Sequence, residues 1–121
     1  MTLNVINSMI RISRLVFLVL ILFISYAAFT PQGDIPIPYI DKIFHFSTFL
    51  ILSLFLDLSI KKTLLSSKAA LIFLVLYALF VELVQCSLPY RSAEVFDFIS
   101  DLLGILVYLY FAPKINIRHM Q

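Results

Sequence analysis

Four apolar runs, each close to the roughly 20 residues that a helix rising 1.5 Å per residue needs to cross a bilayer, divide this sequence of 121 residues. They fall at about Ile12 to Phe29, Ile43 to Ile60, Ala69 to Leu88 and Val95 to Ala112. Pro31, Gly33 and Pro36 close the first, and Pro113 stops the fourth. The linkers hold a handful of residues, the length expected between antiparallel neighbours of one bundle. Composition agrees, because 62% of the residues are hydrophobic and 13% charged, against about a quarter charged in soluble domains. The expected fold is all-α: a polytopic membrane protein with four transmembrane helices. The first run has a competing reading as a cleaved leader, since Arg11 and Arg14 precede it and Ser25-Tyr26-Ala27 loosely resembles a cleavage site. It is long for such a leader, and more membrane follows it. We therefore expect a spanning helix that carries no chemistry and packs through apolar contact alone.

The net charge of +2 invites a nucleic-acid reading, but the basic residues stand at the ends of apolar runs and form no stripe with interleaved aromatics. No nucleic-acid partner is expected. The lone cysteine, Cys86, excludes an intrachain disulfide framework and any multi-cysteine metal site. Orientation follows from the nine Lys and Arg residues. Arg11 and Arg14 precede helix one, Lys61, Lys62 and Lys68 lie between helices two and three, and Lys114 and Arg118 follow helix four. All of these share one side, and only Lys42 and Arg91 lie on the other. The positive-inside rule then places both termini in the cytoplasm. With Cys86 replaced, cysteine labelling of intact cells is expected to reach positions near Asp34 and Ser92 and to spare those near Lys62 and His119. The reverse pattern would invert the topology.

The polar residues of the helices gather at the outer side. Asp41, Lys42 and His45 begin helix two, Glu82 and Gln85 end helix three, Arg91 follows in the loop, and Asp97 and Asp101 begin helix four. Helical spacing puts Asp41 with His45, Glu82 with Gln85, and Asp97 with Asp101 and Gly104 on shared faces. A carboxylate well inside a membrane helix costs about 2.5–3.5 kcal/mol on insertion scales, so several are tolerable only where they face one another, a cation or water. Simpler roles compete for single residues. Asp41 and Lys42 suit an interfacial helix end, and His45 a hydrogen-bonded packing position. Gln85 suits a bond to a partner helix. Arg91 fits either a counter-ion of Glu82 or Asp97 or a substrate contact. Asp57, one turn before Lys61, reads as an ordinary surface pair, and Gly104 as a point of close helix approach.

The ordered set Asp41-Lys42-x-x-His45, Glu82-x-x-Gln85, Pro89-x-Arg91, and Asp97 followed by Asp101 and Gly104 resembles the VanZ-like family of small bacterial membrane proteins. On that resemblance residues 1–121 form a single VanZ-like domain, multi-pass in the bacterial cytoplasmic membrane. Two positions depart from the family pattern. Asp101 stands where an asparagine is usual, and Tyr108 where a second small residue often follows Gly104, which bears on helix packing. The resemblance implies a role in the cell envelope, with the founding member linked to reduced susceptibility to teicoplanin, and implies no settled reaction.

Two classes of function follow. In the first, Asp41, Lys42, His45, Glu82, Gln85, Arg91, Asp97 and Asp101 form a non-catalytic site for a lipid-linked envelope precursor or another membrane protein. In the second, the cluster is an intramembrane active site on a lipid-linked phosphate. His45 or Glu82 would then act as general base, Arg91 and Lys42 would hold the phosphate, and Asp97 with Asp101 a divalent cation. The first class carries no cofactor or metal, and no nucleophile elbow, phosphate loop or H-E-x-x-H pattern is present. A proton pathway is disfavoured, because the inner halves of the helices are nearly free of ionisable groups.

Overall fold

A computed structural model describes residues 2–31, 39–90 and 94–115, and among these every regular element is helical. Helix α1 spans Leu3–Phe29, α2 Ile40–Ser59, α3 Lys68–Ser87 and α4 Val95–Ile115, with a single 3₁₀ turn at Leu64–Ser66. Each of the four is long and apolar enough to cross a membrane, so the expected four-helix membrane architecture stands. The bounds of α2 and α3 fall within a few residues of the apolar runs, whereas α4 runs through Pro113, its expected stop, to Ile115.

α1 differs most, beginning nine residues before its apolar run. Thr2 caps it by accepting from the Val5 amide, and no Gly or Pro interrupts the chain before Pro31. Its 27 residues extend about 40 Å, against the roughly 30 Å of the hydrocarbon layer. Arg11 and Arg14 therefore stand within the helix and not ahead of it. Their side of the bundle is unchanged: Arg14 Nε donates to the Ser59 carbonyl at 2.8 Å, which places it level with the C-terminal end of α2 and close in sequence to Lys61 and Lys62. A cation there also satisfies an orphan carbonyl of a helix end.

α2 is the hub, packed most extensively on α4 and next on α1. Phe49 and Leu52 from α2, Leu74, Ala78 and Val81 from α3, and Ile105 and Tyr108 from α4 form the shared core. Leu15, Leu22, Leu76, Leu83, Leu106 and Tyr110 point outward, the surface a protein presents to lipid tails. The α2–α4 contact is close because Gly104 has no side chain. A Cβ there would overlap the Phe46 carbonyl oxygen and lie 3.0 Å from the Leu50 amide nitrogen, so Gly104 marks the close approach expected of it.

Two expectations need correction. α1 is not held by apolar contact alone. Ser25 Oγ shares a 2.8 Å hydrogen bond with Tyr77 Oη of α3, Tyr77 also donates to the Ile21 carbonyl at 3.3 Å, and Tyr90 Oη donates to the Phe29 carbonyl at 2.6 Å. In a lipid environment apolar faces have no hydrophobic reason to leave their solvent, so small polar contacts of this kind hold an outer helix in place. Asp57 is not a surface residue. It is fully buried, its Oδ1 accepts from the Leu64 amide at 2.8 Å, and its Oδ2 accepts from Tyr108 Oη at 2.5 Å. The departure at Tyr108 is thereby explained: its hydroxyl meets a buried carboxylate of α2.

Candidate functional site

Antiparallel packing brings the start of α2, the end of α3 and the start of α4 to one end of the bundle, and the polar residues arrive there in two layers. Lys42 occupies the outer layer, its Nζ 2.8 Å from Asp41 Oδ2 and 2.7 Å from Glu94 Oε2. Asp41 and Glu94 are about half exposed. The same ammonium lies 3.3 Å from Asp97 Oδ1 and so joins the outer layer to the inner. The inner layer is His45, Glu82, Asp97 and Asp101. Its carboxylate residues are almost fully enclosed, with exposures of 8% for Glu82, 3% for Asp97 and 0% for Asp101.

His45 is the centre of the inner layer. Its Nδ1 is 2.8 Å from Asp101 Oδ1 and 3.5 Å from Glu82 Oε1, and its Nε2 is 3.9 Å from Asp97 Oδ2. One imidazole from α2 thus touches carboxylates of both α3 and α4. A carboxylate bonded to one ring nitrogen fixes the ring and leaves the other nitrogen for a proton or a ligand. Gly104 supports this geometry. Asp101 lies one turn before Gly104, and His45 adjoins Phe46, whose carbonyl Gly104 meets, so a close approach of α2 and α4 lies next to the His45–Asp101 bond.

The inner layer is short of donors. Among the described residues, both carboxylate oxygens of Glu82 and Oδ2 of Asp101 are buried without a hydrogen-bond partner, and Oδ1 of Asp97 has its ion pair with Lys42 in place of one. Buried polar atoms in folded proteins are nearly always paired, and each one left unpaired costs about 1–3 kcal/mol, more when charged. Five carboxylates, Asp41, Glu82, Glu94, Asp97 and Asp101, surround one lysine and one imidazole. The arrangement is an acidic, imidazole-centred cluster, suited to moving a proton or holding a cation.

The residues singled out from the sequence divide cleanly. Asp41, Lys42, His45, Glu82, Asp97 and Asp101 come together. Gln85 does not join them, because its Nε2 donates to the Ala28 carbonyl of α1 at 3.0 Å; it is the interhelical bond expected of it. Arg91 lies outside the described residues. Glu94 was missed. It stands just before α4, and the i, i+3, i+7 series Glu94, Asp97, Asp101 was the signal that aligned it with the others.

A model of the VanZ/LLP1 family matches residues 2–116, and the chain belongs to that family. It is also similar to an uncharacterized protein of the fission yeast Schizosaccharomyces pombe, 34% identical, with 74% of this chain and 55% of that protein aligned. The chain spans about half the length of this curated relative. No solved structure matches it.

Proposed function

We propose that this chain is an integral membrane protein of the cell envelope whose outward-facing cluster receives the polar head of a lipid-borne envelope component. One observation carries the reading: His45, Glu82, Asp97 and Asp101 converge from three helices at one end of a bundle, with buried oxygens of Glu82 and Asp101 that have no hydrogen-bond partner among the described residues. A purely structural polar network pairs its atoms, since an unpaired one is worse than an apolar core. A working site leaves them for a ligand. The positive-inside asymmetry supports an outward orientation. Placement in a bacterial cytoplasmic membrane and an effect on teicoplanin susceptibility rest on the family resemblance.

Native mass spectrometry of the full chain, extracted with its own lipids, tests this reading. Wild type is expected to retain a distinct lipid species. Glu82→Gln, at equal accumulation, is expected to lose most of it. Identical lipid profiles would overturn the reading. A second reading, catalysis on a lipid-linked phosphate, is favoured by the 2.8 Å bond between His45 Nδ1 and Asp101 Oδ1, the pairing that orients an imidazole for general-base work. Its discriminating result is turnover of the retained lipid in wild type and intact lipid in His45→Gln.

A further inference from the structure

The acidic cluster raises an electrostatic difficulty for any anionic headgroup. Its five carboxylates meet the positive charge of Lys42 and, when protonated, of His45. Taking unpaired charge out of water costs several kcal/mol per ion after relaxation, a cost removed either by protonation of the carboxyl groups or by a compact cation, and the geometry of the inner layer suits the cation. Lys42 fills that need only in part, because its ammonium is shared among Asp41 and Glu94 at 2.8 and 2.7 Å and Asp97 at 3.3 Å. The single Nδ1–H of His45 serves Asp101, with Glu82 at 3.5 Å, and leaves Asp101 Oδ2 and the second Glu82 oxygen without donors among the described residues.

We propose that His45, Glu82 and Asp101 bind a divalent metal ion of the zinc or manganese class. One ligand atom from each lies within 4.8 Å of the others. For ligands about 2.1 Å from an ion, neighbouring ligand atoms stand roughly 3.0 Å apart in an octahedral site and 3.4 Å apart in a tetrahedral one. The separations here, 2.8 Å from Nδ1 to Asp101 Oδ1 and 3.5 Å from Nδ1 to Glu82 Oε1, bracket those values. Side-chain adjustment that draws the Glu82 and Asp101 oxygens round one ion beside Nδ1 converts the proton-sharing arrangement into a coordinating one. Imidazole with carboxylates suits a borderline first-row ion better than a soft one, and the lone thiol, Cys86, takes no part. Asp97, 3.9 Å from the far ring nitrogen, is placed to orient the histidine or a metal-bound water. Three protein ligands leave at least one coordination position open for water or a headgroup oxygen. The ion makes the cluster attractive to a phosphate. That use rests on the ligand-binding reading above; binding of the metal itself does not.

The full chain, purified in detergent, stripped with EDTA and dialysed against zinc or manganese, tests the proposal by elemental analysis. Wild type is expected to take up about one ion per chain, with EDTA-reversible thermal stabilisation, as a ligand specific to the folded state requires. Glu82→Gln and Asp101→Asn, checked for folding by circular dichroism, are expected to weaken binding beyond the roughly 10–100-fold that loss of a second-shell partner costs. A cobalt-loaded wild-type sample gives a readout free of variants, since coordination by a nitrogen ligand shifts its visible spectrum. Wild type that takes up neither metal, or variants that bind as well as wild type, would overturn the proposal. Lipid retention, measured separately, stands or falls on its own: metal uptake without retained lipid overturns only the ligand reading, and retained lipid without metal only the metal site.

Discussion

Gly104→Leu is expected to prevent stable packing of α2 on α4, and even Gly104→Ala to destabilise the fold. The sign is diagnostic. In an exposed helix, alanine is favoured over glycine by about 1 kcal/mol, so a neutral site would gain stability. Here the added Cβ overlaps a backbone carbonyl, that of Phe46, and approaches the Leu50 amide at 3.0 Å. Backbone cannot swing aside as a flexible side chain does. Overpacking of this kind costs about 1–3 kcal/mol for small additions, enough to reverse the propensity gain. Because Asp101 and His45 flank the contact, separation of the helices also lengthens their 2.8 Å bond. Thermal unfolding in detergent is expected to rank wild type above Gly104→Ala and Gly104→Leu last. A stabilised alanine variant would show that the helices stand further apart.

Asp57→Ala is expected to cost about 2–4 kcal/mol, because it strips a charged acceptor from two buried donors at once. The Leu64 amide begins the 3₁₀ turn between α2 and α3, and Tyr108 belongs to α4, so one carboxylate fastens three segments. Asp57→Asn keeps one carbonyl acceptor and is expected to lose roughly half as much. Tyr108→Phe leaves the carboxylate in place but removes one donor, and its loss is expected to resemble that of Asn. Alanine and asparagine variants that both unfold at the wild-type temperature would show that these bonds contribute nothing.

The four helices were legible because length and hydropathy are what a bilayer selects, and little else fits runs such as Ala69 to Leu88. The start of α1 was not, since an apolar run marks the depth of the membrane and not the first hydrogen-bonded turn, which Thr2 sets. Asp57 was misread for a related reason. Spacing of four pairs it with Lys61 only on a continuing helix, and α2 ends at Ser59 with Ile60 already extended. The site was legible in outline, because charge placement put Asp41, His45, Glu82, Asp97 and Asp101 at one end and helical spacing aligned them. Which face met which helix was beyond spacing. Glu82 and Gln85 share a side of α3, yet a rotation of about 60° between positions three apart separates them. One turns to His45 and the other to α1.

The central claim is that this cluster is a working site and not a structural brace, and Glu82→Gln tests it most directly. The amide keeps the size and one acceptor of the carboxylate but cannot carry its charge. In a strain deleted for its own copy, the variant and wild type are compared for membrane accumulation and for the envelope phenotype of the deletion, teicoplanin susceptibility included. A brace made of buried charges loses about 3–5 kcal/mol when one partner goes, and the protein level falls with it. A working site predicts normal accumulation with the phenotype unrestored, and the same result for His45→Gln. Full restoration by both variants at wild-type levels would contradict the account.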